Sequence, residues 1–287
     1  MSRVAYVNGA YVPLAGAAVS VLDRGLQFAD SIYEVWAIRG GRMFDADAHM
    51  ARLRRSLSEL RIQFEMSDKA LFAVLRETQR RNRVSDGIVY VQISRGAAPR
   101  DHVFPPPDVR STVIVTAKNL DRGAIAKRAA QGIKIITLPE TRWARCDIKS
   151  VNLLPNVLAR QSAKEKGAFE AWFVDADGLV TEGTSSNAFI VDSEGRIRTS
   201  ALSNHILHGV TRAALIEIAR DRQMQVLEQP FTVEEAKRAR EAFISAASNP
   251  AVPIIAIDNV SVGDGRPGPI AQALRAFYLG AEQQNSL

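Results

Sequence analysis

The chain has 287 residues, of which 46% are hydrophobic and 24% charged, and its 37 basic and 31 acidic residues give a net charge of +6. This balance excludes a disordered, collagen-like or coiled-coil protein, and the basic residues form no stripe with interleaved aromatics that would predict nucleic-acid binding. Cys146 is the only cysteine, which excludes a disulfide-stapled fold, and the lack of an apolar signal core or of an apolar run of about 18 residues predicts a cytoplasmic protein without a membrane segment.

The first 120 residues combine short strands with amphipathic helices. Asn8-Gly9 between two apolar runs is the strongest short signal for a hairpin turn. Ser67-Asp68 predicts a helix start, because a serine side chain caps the free N–H groups of a first turn. Four prolines within residues 95–109 predict a loop, since proline cannot donate to a central strand. The predicted strands are 4–7, 11–12, 32–39, 42–44, 87–94 and 112–117, and the predicted helices are 45–61 and 67–82.

After Asn119 the pattern changes to short strands among helices without strict alternation. The predicted strands are 133–138, 171–174, 188–191, 196–199, 225–228, 242–245 and 253–257, and the predicted helices are 152–166, 210–222 and 269–278. This pattern and the chain length predict a two-domain α+β fold with mixed sheets and flanking helices. We expect a small N-terminal α/β domain over 1–120, an interdomain linker over 121–130 and a larger C-terminal domain over 131–287.

Several common catalytic and metal-binding motifs are missing from the sequence. None of the four histidines lies in an H-E-x-x-H pattern and one cysteine cannot build a zinc site, so no metal is predicted. The chain also lacks a G-x-S-x-G elbow, a Walker loop and a G-x-G-x-x-G fingerprint. Cys146 is expected to be an inert buried thiol, because the sequence shows no base to activate it.

Three polar segments remain as carriers of chemistry: Arg145–Asn152, Val180–Asn187 and Ile206–Arg212. Lys149 in the first is either a solvated charge or an imine-forming nucleophile at a pocket wall. The hydroxyl-rich second segment is either a surface turn or a polar cluster that offers hydroxyl and N–H groups to an anion. The third opens a helix whose N-terminus suits a phosphate, although an ordinary helix start has the same pattern.

Taken in order, these segments resemble the signature of the fold-type IV pyridoxal-phosphate enzymes. That family holds the D-amino-acid transaminases, the branched-chain aminotransferases and aminodeoxychorismate lyase. The resemblance covers nearly the whole chain. Further matches to the family lie at Asp23-Arg24-Gly25-Leu26-Gln27-Phe28 and at His49-Met50-Ala51-Arg52-Leu53. It implies the two-domain fold of the D-amino-acid aminotransferases, the cofactor pyridoxal 5'-phosphate, and a C-terminal domain that carries the cofactor lysine.

The resemblance also implies a role for each matching residue. Lys149 matches the lysine that forms a Schiff base with the cofactor aldehyde, and Glu182 matches the acid that keeps the pyridine nitrogen protonated. Arg52 matches the arginine that grips the phosphate, and Leu207 matches the apolar residue against the ring face. The other cofactor-binding residues that the resemblance implies are Ser186, Asn187, Gly209, Val210, Thr211 and Ser248.

One position departs from the family pattern. The family has a threonine pair where this chain has Ala247 and Ser248. One hydroxyl to the phosphate is therefore lost, and such a hydrogen bond to a charged group contributes roughly 1.5–3 kcal/mol. We expect weaker cofactor retention unless Asn249 or a water compensates.

Arg100 and His102 resemble the substrate-carboxylate trap of the D-amino-acid transaminases. In an extended chain, residues two apart point the same way, so both side chains can converge on one anion. Tyr33 resembles the tyrosine that completes the trap. In that group the trap serves the neighbouring subunit's active site, which implies a homodimer with composite sites. Without the resemblance, the same loop is interpreted as a solvated turn.

The predicted function is a transamination between a D-amino acid, of the D-alanine or D-glutamate type, and a 2-oxo acid. An L-branched-chain aminotransferase shares the lysine and the glutamate, but the Arg-x-His loop does not suit it. Aminodeoxychorismate lyase would release pyruvate without an oxo-acid acceptor, and an amine transaminase would lack a carboxylate trap. A non-enzymatic, cofactor-carrying dimer is supported only by the departure at Ala247.

Overall fold

The computed structural model describes residues 3–284, so residues 1–2 and 285–287 of the two predicted domains lie outside it. The chain divides into two compact units. Unit 1 holds the residues up to Asp121 together with Ile148–Asn152, and unit 2 holds Arg122–Asp147 and the residues from Leu153 onward. Helices accompany a sheet in each unit, and the sheet of unit 2 is mixed, which confirms the predicted α+β class.

Unit 1 contains a six-stranded antiparallel sheet. Its strands are β1 (Val4–Val7), β2 (Ala10–Pro13), β3 (Ser31–Arg39), β4 (Arg42–Met43), β5 (Gly87–Ser94) and β6 (Thr112–Asn119), and its helices are α1 (Arg24–Phe28), α2 (Ala46–Glu59) and α3 (Asp68–Arg81). The strand order is β2-β1-β6-β5-β3-β4. Asn8 and Gly9 join β1 to β2 with φ of 47° and 99°, because the hairpin turn that matches strand twist needs positive φ at both positions.

Alternation along β3 builds the core of unit 1. Ile32 and Trp36, which are fully buried, face the same side of the sheet, and Leu53 of α2 and Leu75 of α3 are buried with them. The hydroxyl of Ser67 accepts the N–H of Ala70 at the start of α3, as predicted from the sequence. Apolar side chains on one face of the sheet therefore hold both helices.

Unit 2 contains a nine-stranded sheet that mixes parallel and antiparallel pairs. Its strands are β7 (Ile133–Pro139), β8 (Glu170–Val174), β9 (Val180–Gly183), β10 (Asn187–Val191), β11 (Ile197–Thr199), β12 (Val226–Glu228), β13 (Glu241–Ala246), β14 (Asn249–Ile257) and β15 (Val260–Ser261). Its helices are α4 (Arg122–Gln131), α5 (Leu154–Glu165), α6 (Val210–Asp221), α7 (Val233–Arg238) and α8 (Pro269–Gln284). The order is β12-β11-β10-β13-β14-β7-β8-β9, with β15 paired to β14.

Both faces of this sheet are covered, so its central strands are almost wholly apolar. Phe243 of β13 packs with Phe189, Leu215 and other residues on the side of α6 and α8. Its neighbour Ile244 belongs to a second core on the opposite face, with Trp172 and other side chains. Among residues 3–284, no helix is both long and apolar enough to cross a bilayer.

The largest differences from the sequence-based description lie around the predicted linker and the lysine segment. Residues 121–130, expected to be a linker, form most of α4 and belong to unit 2. Lys149, expected in the C-terminal domain, lies in unit 1. The reason is that β4 pairs only with the end of β3, which leaves the edge near Ile32 available for an antiparallel bridge with Ser150. The elements α1, α7, β9 and β15 were not predicted.

Candidate active site

Lys149 lies beside Tyr33 in unit 1. Its Nζ is 4.2 Å from the centroid of the Tyr33 ring, its carbonyl accepts the Tyr33 N–H at 2.9 Å, and its own N–H donates to Ser56 Oγ at 3.3 Å. Tyr33 in turn stacks on Tyr90 with ring centroids 5.7 Å apart. The structure thus brings two predicted site residues together and fixes the backbone of the lysine, so that its flexible side chain starts from a defined point.

Arg52 of α2 is buried and held by Glu34 of β3. Its Nε and Nη2 donate to the two Glu34 oxygens at 2.9 and 2.6 Å, and His49 Nδ1 lies 3.0 Å from Glu34 Oε1. Because an ionised carboxylate can only accept, His49 Nδ1 carries the proton of that bond. Burial would raise the pKa of Glu34, but Arg52 and His49 outweigh burial and hold it well below its usual range.

Glu34 is a site residue that the sequence motifs missed, although its position carries a signal. It lies between Ile32 and Trp36 on the inward face of β3, where a charge needs a buried partner. Helix α2 covers this face, and its Arg52 is the partner of Glu34.

Arg100 and His102 are exposed in the proline-rich loop, and both contact the ring of Phe28. Arg100 Cζ is 5.0 Å from the ring centroid, and the His102 ring centroid is 5.4 Å away. Two side chains that are two residues apart thus meet on one surface, although the loop bends at residues 100, 102 and 103 instead of running extended. Within the described part of one chain, no contact joins either of them to Tyr33 or Lys149.

Glu182 is the centre of a buried hydrogen-bond cluster in unit 2. Its Oε2 accepts the Leu207 N–H and the Asn187 side-chain amide, each at 3.0 Å, and Asn187 also donates to the Leu207 carbonyl at 3.0 Å. Its other oxygen pairs with the guanidinium of Arg142. The structure therefore brings three predicted cofactor residues together and adds Arg142, which no sequence motif marks.

Arg142 is shared between two carboxylates. Besides Glu182, its Nη2 donates to Glu140 Oε2 at 2.6 Å, and its side chain is only 4% exposed. Burial would raise the pKa of Glu140, but Arg142 outweighs burial and lowers it. A single buried guanidinium thus pairs with two acidic side chains.

Cys146 has the properties of the inert thiol that the sequence predicts. It is half-buried, and its Sγ donates to the Trp143 carbonyl at 3.1 Å. Burial raises the pKa of the thiol to about 12, so the reactive thiolate is scarce at neutral pH. Elsewhere in the described chain, no group of three or more His, Cys, Asp or Glu side chains could hold a metal ion.

The first turn of α6 offers donors without a capping side chain. Gly209 is the N-cap residue, and a Cβ at this position would overlap Asn187 Oδ1, so only glycine fits. Val210 begins the helix, and Thr211 Oγ1 is buried without a hydrogen-bond partner among the described residues. Free N–H groups and a buried hydroxyl at a helix N-terminus suit an anion.

The hydroxyl run after Glu182 surrounds a buried carboxylate, Glu170 at the start of β8. Ser186 Oγ donates to Glu170 Oε2 at 3.1 Å, and the Thr184 hydroxyl bonds to the other oxygen. Arg160 Nη1 lies 3.3 Å from Glu170. The interpretation of this run as a surface turn is therefore wrong, because, apart from the exposed Ser185, its polar side chains are buried and bonded within unit 2.

Ser248 lies in the two-residue turn between β13 and β14, next to Ala247. Its Oγ accepts the side-chain amide of Asn249 at 3.1 Å, and Asn249 Oδ1 accepts from Arg128 Nη1 at 3.3 Å. Both ends of the Asn249 side chain thus bond to protein groups, so Asn249 is poorly placed to replace the hydroxyl that Ala247 lacks.

Comparison with known proteins places this arrangement in a family. The model described as Amino-transferase class IV matches residues 31–257. The chain belongs to the class IV aminotransferases. This aminotransferase is 39% identical over 287 residues to the D-alanine aminotransferase of Staphylococcus epidermidis (strain ATCC 12228 / FDA PCI 1200), covering 100% of both chains. It is 38% identical over 278 residues to the D-alanine aminotransferase of Staphylococcus haemolyticus, covering 97% of each.

Solved structures agree with the family assignment. The T.th. branched-chain amino acid aminotransferase with pyridoxamine 5'-phosphate superposes with a TM-score of 0.88 at 28% identity, covering 98% of this aminotransferase and 94% of that chain. The protein is therefore an enzyme that uses pyridoxal 5'-phosphate.

The residues of this aminotransferase fit that cofactor. The unpartnered Thr211 hydroxyl and the uncapped start of α6 suit its phosphate. Glu182, paired with Arg142, suits the ring nitrogen. The half-buried Lys149 amine suits a carbonyl electrophile.

Thr211→Val tests the phosphate assignment. We expect the affinity for pyridoxal 5'-phosphate to fall by about tenfold or more, because a hydrogen bond to a charged group is lost. We expect the cofactor-free protein to melt at an unchanged or higher temperature, because the removed hydroxyl has no described protein partner. Cofactor titration measures the affinity, and thermal denaturation measures the melting temperature.

The matched control for this test is Thr199→Val. The Thr199 hydroxyl is buried but donates to the Ala188 carbonyl at 2.8 Å. This variant should lower the melting temperature and leave cofactor affinity unchanged. Equal cofactor affinities for Thr211→Val and wild type would contradict the assignment of Thr211 to the phosphate site.

Proposed function

We propose that this aminotransferase moves an amino group between a D-amino acid, of the D-alanine or D-glutamate type, and a 2-oxo acid. The observation that carries the proposal is the pairing of Arg100 and His102 on the Phe28 ring. A planar guanidinium with an adjacent imidazole suits one substrate carboxylate. The D-alanine aminotransferases at 38–39% identity support the same substrate class.

The cofactor, when bound, supplies an aldehyde that bonds amino groups and a ring that accepts electrons from the neighbouring carbon. Arg52, Thr211 and the α6 N-terminus would hold its phosphate, and Ser186, Asn187, Gly209, Val210 and Ser248 would complete its surroundings. Leu207 would pack against the ring. Glu182 would hold a proton on the ring nitrogen, and its buried pairing with Arg142 fixes the position of the carboxylate for this role.

Lys149 has two roles in this proposal. Its Nζ would bond the cofactor between turnovers, and after the substrate amine displaces it, the free amine would take the proton from substrate Cα and deliver it to the carbon of the cofactor's aldehyde. Tyr33 supports the proton transfer, because its ring at 4.2 Å restricts the volume that the amine can sample.

The carboxylate trap is proposed to work across a homodimer. Arg100 and His102 are exposed, which supports their serving a site on a second copy of the chain. In the dimer, one protomer's pair would bind the substrate carboxylate in its partner's site and turn Cα–H toward the lysine there. A single cysteine suits the reducing conditions of the cytoplasm, where we propose that the enzyme acts.

The second candidate is an L-branched-chain amino acid aminotransferase. It is favoured by the TM-score of 0.88 to the T.th. enzyme of that name. Lys149 and Glu182 would have the same roles in either enzyme, so only the residues around the substrate carboxylate distinguish the two.

A substrate panel with wild-type enzyme and Arg100→Ala tests the proposal. D-Alanine should be converted only in the presence of 2-oxoglutarate, and L-leucine and a simple chiral amine should be poor donors. Arg100→Ala should raise the KM for D-alanine by about tenfold to a hundredfold without changing cofactor content, because a charged hydrogen bond is lost. The exposed Arg110 in the same loop provides the control, Arg110→Ala, which should match wild type.

Mixed dimers test the composite site. Lys149→Ala and Arg100→Ala protomers, unfolded together and refolded, should form dimers with one site that has both residues and therefore a wild-type KM. Preference for L-leucine would favour the branched-chain alternative, and pyruvate release from aminodeoxychorismate without an oxo acid would favour a lyase. Failure of the mixture to restore a wild-type KM would place Arg100 at its own protomer's site.

A further inference from the structure

Arg24 is a buried arginine to which the proposed chemistry gives no role. Its side chain is 4% exposed at the start of α1. Nη1 donates to the carbonyls of Asp101 and Val103 at 2.6 and 3.3 Å, and Nε donates to Asp30 Oδ2 at 2.8 Å. Its Cζ is 4.8 Å from the centroid of the Phe28 ring. One planar guanidinium therefore joins a carboxylate, two loop carbonyls and an aromatic ring.

Asp30 connects Arg24 to a second buried arginine. Arg95 Nε and Nη2 donate to the two Asp30 oxygens at 2.7 and 2.9 Å. Arg95 Nη1 and Nη2 also donate to the carbonyls of Arg61 and Leu60, just beyond the end of α2, at 2.7 and 2.6 Å. These bonds tie Arg24 to the folded body of unit 1, so Arg24 is a fixed support.

The loop above Arg24 alternates between backbone and side-chain contacts. The carbonyls of Asp101 and Val103 bond to Arg24, while the side chains of Arg100 and His102 lie on Phe28. All four loop residues are exposed, so burial does not hold the segment. Among the described residues, the hydrogen bonds that reach 100–103 from outside the loop come from Arg24.

We propose that Arg24 is a positioning residue for substrate binding: it holds residues 100–103 so that Arg100 and His102 are presented together to one carboxylate. The inference rests on the proposed function, since it requires that pair to bind the substrate. Arg24 lies beneath the loop and does not touch substrate. Its contribution is preorganisation, because a loop that is already ordered loses less conformational freedom when the carboxylate binds.

Arg24→Lys is the first test. A lysine ammonium cannot reach Asp30 and two carbonyls at once with the geometry of a guanidinium. We expect the KM for D-alanine to rise about tenfold, with kcat and the visible absorbance of the bound cofactor unchanged. Hydrogen exchange of the amides of residues 99–104 should accelerate, because the loop loses its tether.

Arg61→Lys is the matched control. The Arg61 guanidinium lies 4.8 Å from the centroid of the Phe104 ring in the same loop, but it donates no described hydrogen bond to residues 100–103. We expect its KM and hydrogen exchange to match wild type. In a background of Arg100→Ala with His102→Ala, Arg24→Lys should raise the KM no further, because the pair that it positions is absent.

The outcomes separate this inference from the proposed function. A wild-type KM in Arg24→Lys with a raised KM in Arg100→Ala overturns the role of Arg24 alone. A wild-type KM in both variants overturns the carboxylate site itself. Arg24→Gln is the second variant, and its side chain can still bond one carbonyl. A KM for D-alanine between the values of wild type and Arg24→Lys supports the inference. Lowered melting temperatures in both Arg24 variants without any change in KM make Arg24 purely structural and overturn it.

Discussion

Lys149→Ala is expected to lower kcat for D-alanine by about 10⁴-fold or more, because in the proposed function one amine supplies both the bond to the cofactor and the proton transfer at Cα. The purified variant should also lose the visible absorbance of the lysine-bound cofactor. The measurements are steady-state turnover, the absorbance spectrum, and mass spectrometry of peptides after borohydride reduction, which should label residue 149 of the wild-type enzyme.

The control for this prediction is Lys166→Ala, since Lys166 is an exposed lysine at the end of α5. It should keep wild-type turnover, spectrum and labelling. Persistent turnover in Lys149→Ala, or borohydride labelling of another side chain, would contradict the assignment. The protein itself should remain folded, because the backbone bonds that join Lys149 to Tyr33 and Ser56 do not need its side chain.

Glu34→Gln is expected to lower the free energy of unfolding by about 3–5 kcal/mol, because it leaves Arg52 as a buried charge without its carboxylate. The substitution keeps the size of the side chain, so the loss reports charge and hydrogen bonding rather than a cavity. Urea denaturation of the cofactor-free enzyme measures it. We also expect weaker cofactor binding, since Glu34 fixes the position of the Arg52 side chain.

The partly exposed Glu77 provides the comparison. It pairs with Arg80 and Arg81 on the surface of α3, and these arginines lower its pKa to about 2. Glu77→Gln should change the denaturation midpoint little, because solvent screens surface pairs. Equal midpoints for the two variants would show that the buried pair contributes no net stability.

The pH dependence of the Glu34 contribution follows from its lowered pKa. A carboxyl whose pKa is lower in the folded state stabilises the fold at every pH above its unfolded value and loses that contribution as the pH falls through the folded value. The difference in stability between wild type and Glu34→Gln should therefore be constant near neutral pH and shrink progressively once the pH falls below the unfolded-state pKa of the carboxyl.

Local signals in the sequence predicted most of the fold. The Asn8-Gly9 turn and the cap at Ser67 depend on residues a few positions apart, and each was confirmed, as were helices near the predicted bounds of α2 and α3. The strand β9 was missed because its polar residues are typical of a turn. They occur in a buried strand because Glu182 there has a guanidinium partner 40 residues away.

The buried charges of the site were the least predictable from the sequence. Glu34 meets Arg52 across 18 residues, and Arg24 meets the Asp101 carbonyl across 77. Such pairs arise from strand order and loop path, which residue patterns do not specify. Roles for Lys149 and Arg100 came from the family resemblance and stay predictions until the variants are measured.

The pairing of Ser150 with the edge of β3 has a consequence for biosynthesis. Unit 1 ends near Asp121 along the chain, yet one of its pieces is synthesised later, after the first 26 residues of unit 2. Before Ser150 is synthesised, the edge of β3 near Ile32 presents unpaired backbone groups. Such an edge is prone to aggregation with other chains. Translation must therefore pass residue 152 before that surface can be closed.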